Sequence, residues 1–302
     1  MLFPSISIAS VIFFADPLCV GANIRGYMHG HKKDDFHRIQ MKTILSRALS
    51  GESEYAWDEV GLLLGKGGDE NFGYSVATSD EGDIVAVGSL KVSDYSGGIS
   101  IFEKTGNTVW QQMGETLLGE KFERTGWNVE LSEDGKIVAY GDSESNDYTG
   151  VVKIFNWDDL ANSWNQMGSD IVGTIGNLEL SFNGYGCGNT ISLSDEGKTI
   201  AVGGCHLYNT TSFDSDNKAH DVRVYSYNSA STDWEQVGMN ITSGMKGDFF
   251  SRSLALSGDG TTVAVGAGWC DEIGDELNLG CVRVYRLIDG DWTQIGQELK
   301  GE

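Results

Sequence analysis

One phrase recurs four times along the chain, and it constrains the fold more than any bulk property does. The phrase joins two short runs of small and β-branched residues through an acidic turn that contains glycine, as in SLSDEGKTIAVGG. Its copies span residues 77–89, 130–142, 192–204 and 255–267. Glycine at the turn supplies the positive φ of a tight hairpin, and the flanking Asp can hydrogen-bond its own turn. The phrase therefore predicts a β-hairpin that is repeated because a whole module is repeated.

Each hairpin phrase is followed by two further strand-like phrases. One is of the type VVKIF, and the other begins with Trp, as in WNQMGSDIVG. A weaker copy of the Trp phrase, WDEVGLLLGK, precedes the first hairpin. Each phrase is rich in Val, Ile or aromatic residues and ends in turn-forming residues, so the pattern indicates strands separated by turns. The Trp residues that open the last phrase are Trp57, Trp110, Trp164, Trp234 and Trp292.

The repeat predicts an all-β fold, a β-propeller of four-stranded antiparallel blades. The inner phrases carry apolar or small residues on both faces, which requires a cover on each side, and stacked blades provide it. About four blades are present. The chain has five Trp phrases but four copies of every other phrase, and this unequal count predicts an incomplete ring or an incomplete gene product. We expect Trp110, Trp164, Trp234 and Trp292 to be structural wedges and Gly135, Gly197 and Gly260 to be turn glycines. The predicted repeats span residues 57–109, 110–163, 164–233 and 234–291, with a partial copy at 292–302.

The residues before the repeats divide into two predicted segments. Residues 1–22 contain a short apolar run followed by small residues, which is typical of a secretory signal peptide. The alternative is a buried apolar strand. Residues 23–56 are predicted to be a linker or one short amphipathic helix within 34–50.

Cysteine and asparagine residues are consistent with a secreted chain. Cys187, Cys205, Cys270 and Cys281 are disulfide candidates, because the first two face each other across a predicted hairpin and the last two bracket one loop. Free buried thiols and a zinc site are the alternatives. Asn209 and Asn240 lie in glycosylation sequons.

The formal net charge of −23 restricts the partners of the chain. An acidic surface repels phosphate backbones and anionic lipid headgroups, so we expect neither nucleic-acid binding nor direct membrane binding. A protein or a glycan is the expected partner.

The stretch FGYSVATSDEGDIVAVGS followed by GGISIF resembles the FG-GAP repeats of integrin α-chain propellers and related extracellular proteins. The resemblance covers about residues 57–302 and implies a propeller that presents loops for adhesion, often with calcium bound between its first two strands. Here that loop is too short to wrap a calcium ion, which needs six to eight oxygen ligands. We therefore predict no cofactor. Calcium in the acidic loops 141–150 and 270–280 is the alternative to a solvated rim.

The sequence contains no catalytic motif such as G-x-S-x-G or H-E-x-x-H. We therefore predict a secreted or cell-surface module that binds a protein or glycan through its loops and is not an enzyme. The first alternative is a propeller-type glycoside hydrolase or lyase, and the second is a structural or assembly repeat protein. Arg223 and Arg283 occupy the same repeat position, which favours a scaffold role for both.

Overall fold

The computed structural model describes residues 11–14, 38–45, 56–67, 70–106, 108–121, 123, 125–145, 149–173, 187–204, 221–243, 248–270 and 279–301. It describes side chains from residue 61 onward, except that of Asp94. Apart from one short helix, α1 (Val92–Tyr95), the regular elements of this part of the chain are strands. They form five antiparallel sheets in chain order.

Four of the sheets, which we call blades 1 to 4, repeat one plan. Four strands lie side by side in chain order, and a short fifth strand pairs with the third. Blade 1 contains β4 (Phe72–Thr78), β5 (Ile84–Ser89), β6 (Gly98–Lys104), β7 (Trp110–Gln112) and β8 (Leu117–Leu118). Blade 2 contains β9 (Asn128–Leu131), β10 (Ile137–Asp142), β11 (Val151–Asp158), β12 (Ser163–Gln166) and β13 (Ile171–Val172). Blade 3 contains β14 (Thr190–Leu193), β15 (Thr199–Gly203), β16 (Asp221–Asn228), β17 (Asp233–Gln236) and β18 (Ile241–Thr242). Blade 4 contains β19 (Phe250–Leu256), β20 (Thr262–Ala267), β21 (Cys281–Ile288), β22 (Asp291–Gln294) and β23 (Leu299–Lys300).

The blades are offset from the Trp-to-Trp ranges that we predicted. Each blade opens with the first strand of the hairpin and closes with the Trp phrase, so β22, with Trp292, completes blade 4 and does not open a partial fifth repeat. The Trp phrase also bends at its glycine, which is why it supplies two short strands that both pair with the third strand of the blade.

The fifth sheet lies at the N-terminal end and corrects one prediction. It contains β1 (Val11–Phe14), β2 (Arg38–Leu45) and β3 (Ala56–Leu64). We predicted a linker or a short helix where β2 lies, and the helix is wrong over these residues. The segment RIQMKTIL alternates polar and apolar residues over most of its length, a period that suits a strand better than a helix. The remaining residues of the predicted signal peptide lie outside the described part of the chain.

The repeated hairpin turns form a hydrogen-bonded row along one end of the blades. In each turn the glycine has a positive φ, for example +68° at Gly197, and the serine that opens the turn accepts a hydrogen bond from the first amide of the next strand. Neighbouring turns are joined by backbone hydrogen bonds. Asp80 donates to Glu133, Glu133 donates to Asp195, and Asp195 donates to Gly258, at 2.8–3.0 Å. The phrase is therefore repeated because each turn holds the next one.

The Trp phrase locks each blade onto the blade before it. The indole Nε1 of Trp164 donates to the carbonyl oxygen of Met113 at 3.0 Å, and Trp234 donates to Met167 at 2.6 Å. The indole ring lies over the glycine of the preceding Trp phrase. A Cβ added to Gly168 would lie 2.7 Å from Cδ1 of Trp234, which is closer than packed atoms allow.

These contacts define a β-propeller arrangement. The first strands of successive blades lie side by side, and β9 contacts both β4 and β14. Apolar residues of adjacent blades share clusters, as where Val138 of blade 2 packs with Ile101 of blade 1. In the part of the chain that the structure describes, the blades form an arc and not a closed ring. No helix among the described residues is long and apolar enough to cross a membrane.

Candidate active site

The two ends of the blades differ in chemistry. The hairpin turns occupy one end, and the connections between second and third strands occupy the other, which we call the connection end. At this end β10 finishes on Asp142, where the other blades have Ser89, Gly204 and Ala267. A carboxylic acid therefore replaces a small residue in one blade only.

Asp142 is held by hydrogen bonds from its own loop and from the segment that joins blades 1 and 2. Its side chain is 4% exposed. Oδ2 accepts a hydrogen bond from the hydroxyl of Thr125 at 2.8 Å, and Oδ1 accepts from the backbone amides of Glu144 and Ser145 at 3.2 and 3.1 Å. Thr125 is itself fixed, because its amide donates to the carbonyl oxygen of Ser96 in blade 1. The carboxyl group is thus positioned at the junction between blades 1 and 2.

Burial gives this carboxyl group an unusual proton affinity. Removal from water raises the pKa of Asp142 to about 7, the hydrogen bond from Thr125 opposes the rise, and the negative charge of Glu123 adds to it. The charged and neutral forms are then present in similar amounts near neutral pH. A group of this kind can both accept and return a proton, which is the property required of a general acid or base.

A second carboxylate lies beside Asp142 and is nearer to solvent. Glu123 is partly exposed, and Ser145 connects the two acids because its hydroxyl donates to Oε1 of Glu123 while its amide donates to Asp142. The backbone amide of Glu120 donates to the other oxygen of Glu123 at 2.7 Å. The site therefore contains two carboxylic acids in different environments. In many hydrolases, such a difference makes one carboxyl group the acid and the other the base.

Three aromatic residues belong to the segments that contain or contact this site. Tyr140, two residues before Asp142, is buried and stacks on Phe155, and burial followed by the charge of Asp142 raises its pKa above the usual range. Trp127 follows Thr125 by two residues, and its ring centroid is 5.1 Å from that of Tyr74, which is 45% exposed. This pair, in which Tyr74 is exposed and Trp127 is partly buried, offers an apolar surface to a ring-shaped ligand.

The structure places the predicted cysteines away from this site. Cys270 and Cys281 form a disulfide, with Cα atoms 5.5 Å apart, in the connection between β20 and β21. A carboxylate oxygen of Glu298 lies within 4.8 Å of both sulfur atoms, but Glu298 pairs with Arg283. Because the sulfur atoms are bonded to each other, this cluster is not a zinc site. Cys187 is also disulfide-bonded, whereas Cys205, its predicted partner, lies outside the described residues.

The other predicted residues serve the scaffold or are not described. Arg223 is buried and paired with Asp221 at 3.1 Å. Arg283 is also buried and is paired with Glu298. Asn240 donates to Asp221. Asn209 and residues 271–278 of the second acidic loop lie outside the described part of the chain. The first acidic loop, 141–150, was an alternative position for calcium. In this loop, both carboxylate oxygens of Asp142 accept hydrogen bonds from the protein.

Sequence reasoning missed Asp142 as a titrating group, although it singled out the loop that contains it. The available signal was a departure from the repeat: in the phrase VAYGD, an acid stands where the other copies end in a small or uncharged residue. Its burial, which raises the pKa, and its hydrogen bond from Thr125, which opposes that rise, are tertiary features that no local sequence pattern shows.

Comparisons with known proteins show the fold. No family model matches the chain, and neither does any curated protein. Among solved structures, a candidate 6-phosphogluconolactonase from Bacteroides uniformis is 14% identical with a TM-score of 0.52, and one from Bacteroides fragilis is 15% identical with a TM-score of 0.52. Each alignment covers 88% of this chain and 66% or 65% of the other, so the chain spans slightly less than two thirds of their length. The β-propeller domain of the Trilobed protease from Pyrococcus furiosus is more distant, with 11% identity, a TM-score of 0.39 and coverage of 74% and 57%.

These comparisons overturn the function that we predicted from the sequence. We expected a binding module without catalysis, and that prediction is wrong, because the two structures with the greater fold similarity are described as enzymes. They favour our alternative, a propeller-type glycoside hydrolase or lyase, over a binding module. At this level of identity the likeness extends to the fold only.

Proposed function

We propose that the chain is a hydrolase of sugar-derived substrates, with neutral sugar lactones as its first substrate class and Asp142 as its general base. The observation that carries the proposal is the buried carboxyl group of Asp142. Its pKa is about 7, and Ser145 links it to a second acid, Glu123. The fold shared with candidate lactonases over 88% of the chain supports the choice of reaction.

The proposed step adds water across the ring ester. The Asp142 carboxylate removes a proton from water as the water oxygen attacks the lactone carbonyl. The bond between the carbonyl carbon and the ring oxygen then breaks, and the proton passes from Asp142 to the departing alkoxide. The product is the open-chain hydroxy acid, and Asp142 returns to its starting state.

The charges around Asp142 favour a neutral substrate. Among the described residues, the charge that shifts the pKa of Asp142 is the negative charge of Glu123. The charges that act on Tyr140 are likewise those of Asp142, Asp170 and Glu123. A phosphorylated lactone would add negative charge to an already negative site, at a cost in binding free energy. We therefore expect the unphosphorylated lactone to be preferred.

Glycoside hydrolysis is the second candidate, and the position of Glu123 favours it. Glycosidases use one protonated carboxylic acid to protonate the leaving oxygen and a second carboxylate as base or nucleophile. Asp142 as the acid and Glu123 as the carboxylate would meet that requirement. The pH dependence separates the two reactions, because a general base works in its ionised form and a general acid in its neutral form.

The test is a rate measurement on wild-type protein and two variants, with a neutral aldonolactone, its phosphorylated form and aryl glycosides as substrates. For lactone hydrolysis, kcat/KM should rise with pH through an apparent pKa near 7, and Asp142→Asn should lower kcat by about 10²- to 10⁴-fold. The matched control is Asp134→Asn at the hairpin end of the same blade, which should keep the wild-type rate. A rate that instead falls above pH 7 with aryl glycosides selects the second candidate. Full activity of the Asp142→Asn variant, or no turnover of any substrate, contradicts the proposal.

We also propose that the enzyme acts outside the cytosol. The disulfide between Cys270 and Cys281 supports this location, since such bonds persist in oxidising compartments. The relation to FG-GAP-like repeats likewise stays a proposal, supported by the order of phrases in the four blades.

A further inference from the structure

The two aromatic residues at the junction of blades 1 and 2 occupy one position of the repeat. Tyr74 is the third residue of the phrase FGYSVATS, and Trp127 is the third residue of TGWNVELS. Their ring centroids are 5.1 Å apart, and the ring planes are tilted by 44°. Blades 3 and 4 have Asn189 and Arg252 at this position. Within the described blades, an aromatic pair at this position therefore occurs at one junction, the junction that also contains Asp142.

The backbone that carries the two rings is fixed. The hydroxyl of Ser75 donates to the carbonyl oxygen of Gly126 at 2.7 Å. These two residues are the direct neighbours of Tyr74 and Trp127 in the chain, so the bond joins the two aromatic segments. Gly126 has φ of +108°, and a Cβ added to it would lie 2.8 Å from the amide nitrogen of Ser89, so this backbone packs closely against blade 1. A ligand that binds here has little backbone freedom to remove, which favours binding.

The aromatic pair lies beside the end of the strand that carries the buried acid. The hydroxyl of Thr125 donates to Asp142 at 2.8 Å, and Asn128 pairs in register with Gly141. Trp127 thus stands in the chain between two residues that contact the end of β10. From the usual spacing of Cα atoms along and across strands, its Cα lies at most about 13 Å from that of Asp142. The rings and the carboxyl group therefore belong to one local site.

The chemistry of this site suits a neutral ring that carries hydroxyl groups. The faces of a sugar ring present C–H groups, which pack on aromatic rings. Tyr74 is 45% exposed and Trp127 is partly buried, so a surface for such a face is open to solvent. Glu123 is partly exposed, and a carboxylate has about four acceptor positions, so it can accept hydrogen bonds from ring hydroxyls as well as from the protein.

We propose that Tyr74 and Trp127 bind the closed ring of the substrate and so distinguish it from the open-chain product. The inference rests on the proposed lactone hydrolysis. Opening of the ring removes the C–H face that stacks on the aromatic pair. It also creates a carboxylate near Glu123 and Asp142, and their negative charges repel it. The product is therefore bound more weakly than the substrate and leaves the site.

The first test measures binding without the reaction. Protein labelled with ¹⁵N at tryptophan is titrated with 1,5-anhydroglucitol, a neutral ring that water does not open, from about 1 to 100 mM, the range of weak binding. We expect the indole N–H signal of Trp127, assigned by comparison with Trp127→Phe, to shift saturably. Glucitol and gluconate, which are open chains, should need at least about 10-fold higher concentrations for the same shift, since they lack a ring face.

The second test is kinetic, with a neutral aldonolactone as substrate. Trp127→Ala should raise KM at least about 10-fold and leave kcat within about 2-fold of wild type, because stacking acts on the bound substrate and the transition state alike. Trp127→Phe keeps a ring and should recover most of the loss. The matched control is Trp269→Ala. Trp269 is 57% exposed at the connection end of blade 4, where it packs against Phe249 with ring centroids 4.4 Å apart, and its loss should leave KM unchanged.

The outcomes separate the ring site from the reaction. A Trp127 signal that ring and open-chain polyols shift alike overturns the inference, and so does a folded Trp127→Ala variant with the KM of wild type. If thermal unfolding shows that Trp127→Ala does not fold, Tyr74→Ala replaces it, with an expected rise in KM of about 3-fold. A saturable Trp127 shift in protein that hydrolyses no lactone supports the ring site and rejects the proposed reaction. A hydrolysis rate that depends on Asp142 but not on Trp127 does the reverse.

Discussion

The hairpin end and the connection end of the blades are built from the same strands but follow different rules. At the hairpin end, four turns repeat one sequence, one positive-φ glycine and one serine, and they hydrogen-bond to each other in a row. At the connection end, each blade differs: blade 2 has Asp142, and blade 4 has the disulfide of Cys270 and Cys281. The scaffold thus depends on the repeated hairpin turns, and the proposed chemistry depends on a connection that differs from blade to blade.

The difference arises from how each end is stabilised. A turn that bonds to identical turns tolerates little change, because an altered copy would break contacts on both sides. A connection outside the row can accept a polar or charged residue if its own neighbours satisfy it, as Thr125 and two backbone amides satisfy Asp142. Function can therefore vary at the connection end without loss of the stack.

The largest expected effect on stability concerns Asp142 and pH. Its pKa is about 7 in the folded protein and near 3.8 in the unfolded chain, so the folded state holds its proton more tightly. Below pH 3.8 the residue is neutral in both states and has no effect. As pH rises towards 7 the unfolded chain loses the proton first, and stability falls, by at most about 4 kcal/mol above pH 7. The penalty is that of a buried charge.

Comparison with Asp142→Asn isolates this effect. Asparagine stays neutral, so the variant should be similar to wild type at pH 4 and more stable at pH 9, as measured by urea unfolding at several pH values. The Asp134→Asn variant, altered at the exposed hairpin turn, should show no such divergence. If the difference between wild type and Asp142→Asn is the same at every pH, the carboxyl group is not buried as described.

A smaller effect is expected at the hairpin end, where two glycines form a matched pair. Gly197 and Gly290 both have positive φ, so alanine is strained at each, at about 1 kcal/mol. A Cβ at Gly197 would also lie 2.7 Å from Cδ1 of Ile137 in blade 2, whereas at Gly290 nothing lies within 4 Å. Gly197→Ala should therefore cost about 2 kcal/mol more than Gly290→Ala in the free energy of unfolding. Equal costs would mean that neighbouring turns do not pack.

The sequence predicts the hairpin end well because its information is local and repeated. The strand phrases, the turn glycines Gly135, Gly197 and Gly260, and a propeller of stacked blades all follow from four copies of one pattern. Two things did not follow. The N-terminal strand β2 has no repeated partner phrase, and the sequence alone predicts a linker or a short helix there. The hydrogen bond from Thr125 to Asp142 joins residues 17 positions apart in the chain, and no local pattern predicts it.

The central claim is that the carboxyl group of Asp142 titrates near neutral pH inside the junction of blades 1 and 2. Carboxyl carbon NMR of protein labelled with ¹³C at aspartate, assigned by comparison with the Asp142→Asn variant, measures this directly. We expect the Asp142 signal to titrate with a pKa of about 7, well above those of exposed residues such as Asp259, whose pKa hydrogen bonds from Ser257 and Thr261 hold below the usual value. An Asp142 signal that titrates near pH 4 with the other aspartates would contradict the account.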